Sequence, residues 1–157
     1  MKKSSRELKD RVTAIIEANE SSSLITVSDK GCPRARVLED HNPHPGFVFW
    51  FATHSATRKV SEIQNCPEVS VYYLVPEGAG YICILGTAEI RTDPESREYL
   101  WRDSWREYWP EGPDSKEYVP IRITPAEIEY YNSGEGALAD DGYAPLFLAP
   151  GDFAGDD

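Results

Sequence analysis

Positive charge is scarce in this sequence and missing altogether beyond Arg122. The chain carries 16 Lys and Arg against 27 Asp and Glu, a net charge of −11 with histidine neutral. Eight of those acids follow Arg122, so the first 122 residues carry only −3. A nucleic-acid binder needs a basic face, and none is visible. An acidic surface also disfavours anionic membranes. Long apolar runs are missing as well. The longest, Phe47 to Ala52, falls far short of the roughly 20 residues that a membrane-spanning helix requires. The start, Met1 to Arg11, has no apolar stretch of the signal-peptide kind. The three cysteines, Cys32, Cys66 and Cys83, are odd in number, widely separated and without a Cys-x-x-Cys pair. Reduced, buried thiols in a cytoplasm are therefore expected, and no zinc site. Gly-x-Ser-x-Gly is absent and no cysteine has an obvious histidine partner, so nucleophilic catalysis lacks support. Gly78-Ala79-Gly80 falls in a hairpin turn and Gly134-Glu135-Gly136 precedes no convincing helix, which argues against a Rossmann enzyme.

What is present, in 157 residues, fits one compact domain. Leu8, Val12, Ile15 and Ile16 recur at i, i+4, i+7 and i+8, an amphipathic helix over residues 5–19 with Ser4 or Ser5 as its cap. Leu24 to Val27 and Ala35 to Leu38 read as a hairpin around Asp29-Lys30-Gly31. Phe47 to Thr53 is the most β-prone stretch, apolar on both faces. A short helix follows from about Thr57 to Gln64, stopped before Pro67. Val69 to Val75 and Tyr81 to Arg91 read as strands about a turn. Asp93-Pro94 then opens a helix that carries Trp101, Trp105 and Trp109 at i, i+4 and i+8. That spacing reads as core or subunit contact. Tyr118 to Ile123 and Ile128 to Tyr131 are expected as the last two strands. Six or seven strands with inserted helices make a mainly β protein, an antiparallel barrel over residues 1–133. Residues 134–157 read as an acidic, partly ordered tail.

The octet Thr53-His54-Ser55-Ala56-Thr57-Arg58-Lys59-Val60 carries the chemistry. A strand ends there, and a helix begins at a cluster of hydroxyls followed by two adjacent cations. Free N–H groups and the positive end of the helix dipole attract an anion. A hydroxyl, a two-pronged guanidinium and a point-charge ammonium together suit a terminal phosphate. The same octet also reads as a capped helix bearing two solvated cations. On the hairpin, Arg34 and Arg36 share one strand face. They either face solvent or, if that strand lies beside Phe49 to Thr53, bring Arg36 to the same anion. His41 and His44 read as surface residues of a Pro-rich loop, and His54 as a ligand contact or a packing residue.

The runs Gly46-Phe47-Val48-Phe49-Trp50-Phe51-Ala52-Thr53, Thr57-Arg58-Lys59-Val60 and Asn65-Cys66-Pro67-Glu68-Val69-Ser70-Val71 resemble the pyridoxamine 5'-phosphate oxidase-like flavoproteins, which have an FMN-binding split β-barrel. Tyr81 to Ala88, Trp109 to Asp114 and Ile121 to Tyr131 resemble the bacterial general-stress-protein branch. The resemblance covers residues 8–133. It implies FMN as cofactor and a homodimer with two flavin sites at the subunit interface. Thr57, Arg58 and Lys59 match the family's phosphate motif, and Arg36 the arginine on the preceding strand, with Val37 and Leu38 beside the flavin through their backbone. Ala52 and Thr53 match the strand-end pair beside the ring system. Tyr81 stands where vitamin-metabolising members carry glutamine. Tyr131 stands where many members carry a tryptophan that approaches the flavin from the partner subunit.

Two departures bear on function. True pyridoxamine-phosphate oxidases hold the substrate phosphate with a C-terminal Arg-x-His element, whereas Tyr131 is followed here by Asn132-Ser133-Gly134-Glu135-Gly136 and every charged residue after it is an acid. A dianionic substrate would meet uncompensated repulsion. The lysine that ends the family's first flavin strand is also missing, with Glu39 and Asp40 in that stretch. Vitamin B6 oxidation is thus disfavoured. The resemblance points to an FMN-dependent oxidoreductase on a small molecule, or to a non-catalytic flavin-binding or redox-sensing stress protein. No catalytic residue stands out. A deazaflavin or haem ligand in the same barrel is a further alternative, with His54 as the one plausible axial donor.

Overall fold

The computed structural model of the protein describes residues 4–76, 79–133 and 144–153. It opens with α1 (Ser5–Ala18), whose N-terminus is closed by a reciprocal pair: Ser4 Oγ accepts from the Glu7 amide, and Glu7 Oε2 accepts from the Ser4 amide. Leu8, Val12, Ile15 and Ile16 form its buried stripe. Then come β1 (Ser21–Val27), β2 (Pro33–Glu39), β3 (Phe49–His54), α2 (Arg58–Asn65), β4 (Glu68–Val75) and β5 (Gly80–Ile90). The chain continues through α3 (Pro94–Leu100), two short 3₁₀ segments (Asp103–Glu107 and Gly112–Asp114), β6 (Tyr118–Asn132), β7 (Leu146–Leu148) and α4 (Pro150–Phe153).

All seven strands pair antiparallel in the order β2-β1-β4-β5-β6-β3, with β7 added to β6. The sheet does not close, because β2 and β3 are the two ends of the path. It curls around one apolar core, in which Leu24, Phe49, Phe51, Val71, Ile82, Ile84, Ile121, Ile123 and Ile128 are all but sealed from solvent. Helix α2 leaves β3 and packs against β1 and β5. A second, smaller core gathers Leu100, Trp105, Trp109 and Tyr118.

Three expectations change. The strand over Phe47–Thr53 begins only at Phe49, because Gly46 and Phe47 both take left-handed backbone (φ 78° and 55°). Phe47 is nonetheless buried, stacked on Phe153 at 5.4 Å and set edge-on to Phe49 at 5.5 Å. The tryptophan helix stops at Leu100, so Trp101, Trp105 and Trp109 do not share one helical stripe. They meet instead around Tyr118, 5.1 to 6.1 Å away ring to ring, which satisfies the core reading by a different geometry. The last two expected strands are one strand of 15 residues. Pro125 lacks an N–H and argues for a break, but a register shift opposite Leu85 and Gly86 leaves Ala126 unpaired and lets the strand run on.

In the expected tail, β7 and α4 add Leu148 and Phe153 to the main core; residues 134–143 and 154–157 lie outside the described residues, as do Glu77 and Gly78 of the expected hairpin turn. No helix among the described residues is long and apolar enough to cross a membrane.

The bulge has no room for a larger residue. A Cβ on Gly86 would lie 2.7 Å from the Thr124 carbonyl oxygen and 2.9 Å from Ile123 Cγ2. Gly86→Ala is expected to cost about 1–3 kcal/mol, read as a lower urea midpoint; an unchanged midpoint would show that the strand pair yields without cost.

Candidate functional site

Helix α2 begins without a side-chain cap. Thr57 occupies the N-cap position, but its hydroxyl donates to the His54 carbonyl at 2.8 Å and makes no bond to the first turn. The Thr57 and Val60 amides are bonded to the His54 and Thr57 carbonyls, each at 3.0 Å, so it is the Arg58 and Lys59 amides that keep their donor capacity at the positive end of the helix dipole. Lys59 itself is only 9% exposed. Its Nζ donates to Thr53 Oγ1 at 2.9 Å, and Thr53 Oγ1 lies 3.2 Å from Thr57 Oγ1. Burial, and then the charge of Arg36, pull the Lys59 ammonium below its ordinary value.

Arg36 reaches this cluster from the opposite edge of the sheet. Its Nη1 donates to the Leu24 carbonyl (3.2 Å), Thr26 Oγ1 (2.6 Å) and the Arg34 carbonyl (3.0 Å), which fixes the guanidinium against β1. Its Nη2 faces Glu62 Oε1 at 3.7 Å, and Arg58 Nε faces the same oxygen at 3.3 Å. Glu62 Oε2 accepts from Thr26 at 3.2 Å. Burial pulls the Arg36 guanidinium down, Glu62 pulls it up, and Arg58 and Arg34 add to the lowering. Three cations and one buried carboxylate thus meet where the sheet is split.

Of the expected site residues, Arg36, Thr53, Thr57, Arg58 and Lys59 are brought together in this way. Ala52 sits on the other face of β3 and packs against the tryptophan cluster. Val37 points outward, 69% exposed, and Leu38 packs on the main core. Tyr81 and Tyr131 form a separate group on the outer face of the sheet, 5.8 Å apart ring to ring, with Tyr72 stacked on Tyr81 at 5.5 Å. His54 Nδ1 accepts from the Ala56 amide (3.1 Å) and its Nε2–H faces the Glu117 carboxylate (3.3 Å), so the ring's one lone pair is already engaged. His44 is packed against Trp50 and Tyr99 and bonded to the Tyr99 hydroxyl, so it is more than a surface residue.

Sequence reasoning passed over Glu62, although its spacing after Arg58 (i+4) and Lys59 (i+3) puts it on their helix face. Asp40, in the stretch where the lysine is missing, turns inward and accepts from Ser22, Tyr73 and the Asn42 amide. A cavity of 680 Å³ beside it, lined by Glu39, His41 and Arg102 among others, holds none of the ten expected site residues. A 470 Å³ cavity lined by Ser55, Val60 and Gln64 adjoins α2.

The chain belongs to the pyridoxamine 5'-phosphate oxidase-like family, whose sequence model matches residues 7–140. General stress protein 26 of Bacillus subtilis (strain 168) is 30% identical over 133 residues, which are 83% of this chain and 92% of that protein. A crystal structure of a Clostridium acetobutylicum protein related to general stress protein 26 superposes with a TM-score of 0.77 at 20% identity, covering 96% of this chain and 99% of the other. A pyridoxamine 5'-phosphate oxidase-related, FMN binding protein of Nostoc punctiforme PCC 73102 superposes with a TM-score of 0.62 at 13% identity, covering 92% and 95%. At those identities the two structures show a shared fold.

The tyrosine group offers a titration test. Tyr81 Oη donates to Glu129 Oε1 at 2.6 Å. That bond, followed by burial, pushes the phenol up to about 12 from its ordinary 10. The folded state thus favours the protonated phenol, whose contribution to stability is complete below pH 10 and is lost as the pH rises through about 12. Glu129→Gln is expected to return the titration toward 10, read as the phenolate absorbance that disappears on adding Tyr81→Phe. A titration unmoved by Glu129→Gln would show that the carboxylate does not hold the proton.

Proposed function

We propose that the chain binds FMN, with the flavin's phosphate gripped at the start of α2, and that it serves as an FMN-dependent oxidoreductase on a small molecule other than a vitamin B6 phosphate. The observation that carries this reading is the buried Lys59 ammonium, held by Thr53 beside Arg36 and Arg58 at an uncapped helix start. Arg36, Arg58 and Lys59 outnumber the one carboxylate, and Arg34 adds a further charge beside Arg36, so the net charge is positive, the right sign for a phosphomonoester dianion. Within this reading Lys59 and Arg58 supply charge-assisted hydrogen bonds, Thr53 and Thr57 supply hydroxyls, and the opening amides of α2 supply backbone donors. Arg36, anchored to β1, adds charge more than direct contact. When bound, FMN supplies the hydride chemistry, and the protein supplies the anchor and the electrostatic setting.

A homodimer with flavin sites between subunits belongs to the same proposal. Arg58 is 64% exposed at its side chain, so one chain leaves the anion site open on one side. Val37, Leu74 and Phe147 present apolar surface, and Tyr72, Tyr81 and Tyr131 line the outer face of the sheet. A cytoplasmic setting completes the reading; the three cysteines are free thiols, but Cys32 is exposed and Cys66 and Cys83 are half-buried, in place of the buried thiols expected. The absence of basic residues after Arg122 supports a substrate without a phosphate of its own.

A fluorescence titration with FMN tests the anchor, with riboflavin as the control that lacks a phosphate. Lys59→Ala and Arg58→Ala are each expected to weaken FMN by roughly ten- to a hundredfold, since a hydrogen bond to a charged group contributes about 1.5–3 kcal/mol. Riboflavin binding should change little. A parent protein that takes up no FMN overturns the reading.

A further inference from the structure

We propose that Glu62 is the residue that sets the charge selectivity of the anion site, acting as a built-in counter-charge. The proposal rests on the phosphate-anchor reading above. Glu62 is 4% exposed, and its Oε1 accepts no hydrogen bond among the described residues. It faces Arg58 Nε at 3.3 Å and Arg36 Nη2 at 3.7 Å. The carboxylate therefore compensates these cations through charge without orienting either one. Arg36 is oriented independently by three acceptors on its Nη1, and Arg58 projects toward solvent. Lys59 and Arg36 are both pulled down by burial, and Glu62 pulls Arg36 back up, so without Glu62 these cations would lie together uncompensated. With it, the ligand-free site stays folded and charged, and net positive charge remains for a dianion.

Glu62→Gln keeps the side chain's size and its bond partner Thr26 while removing the charge. It is expected to tighten FMN by about tenfold at low ionic strength, with the gain shrinking in salt, and to leave riboflavin unchanged. Glu62→Asp keeps the charge and should bind FMN close to the parent. If Glu62→Gln proves unstable without ligand, its melting temperature is measured in inorganic phosphate and in chloride at matched ionic strength. Phosphate should raise the melting temperature of the variant more than that of the parent. FMN affinity that is unchanged or weaker in a folded Glu62→Gln protein, or equal phosphate stabilisation of both proteins, overturns the role of Glu62 while leaving the anchor standing. A parent that binds neither FMN nor phosphate overturns the anchor and this inference together.

Discussion

The structure turns on one electrostatic constraint: three cations converge at a split in a β-sheet, and a single buried carboxylate stands against them. An ammonium taken out of water carries a large desolvation penalty unless a partner offsets it. Lys59 has a hydroxyl as its partner and a guanidinium as its neighbour. Such an arrangement is costly in an isolated chain and becomes favourable when an anion enters. Unpaired charge of this kind is concentrated at binding sites, and a purely structural helix cap does not need it.

The fold creates this site through its open edges. The sheet is not closed by pairing β2 to β3. Instead α2 ties the edges together by side chains, Lys59 to Thr53 on β3 and Glu62 toward Arg36 on β2 and to Thr26 on β1. The same helix thus closes the core and exposes its N-terminus. Its burial against β1 and β5 provides the rigidity that a preorganised anion site needs.

Much of this was legible in the sequence, for physical reasons that differ from one element to the next. The capped helix α1, the hairpin and the clustering of hydroxyls and cations over residues 53–60 rest on local chemistry, namely periodicity, turn residues and adjacent charge, and local chemistry is visible along a chain. The strand start at Phe49, the unbroken β6 and the folded tryptophan cluster were not legible, because each depends on a partner distant in sequence. Left-handed Phe47 is held by Phe153, the bulge at Ala126 by Gly86 on β5, and the tryptophans by Tyr118. The meeting of Arg36 with Arg58 likewise depends on topology. Glu62 was overlooked because an acid on an exposed-looking helix resembles any solvated residue until its burial is known.

The most direct test of the central claim is a crystal structure of the protein grown with FMN. The account predicts the flavin's phosphate within hydrogen-bond distance of Lys59 Nζ and the opening amides of α2, with the Arg58 side chain turned onto it. Flavin density elsewhere, or a phosphate lying in bulk solvent away from Lys59, would contradict it.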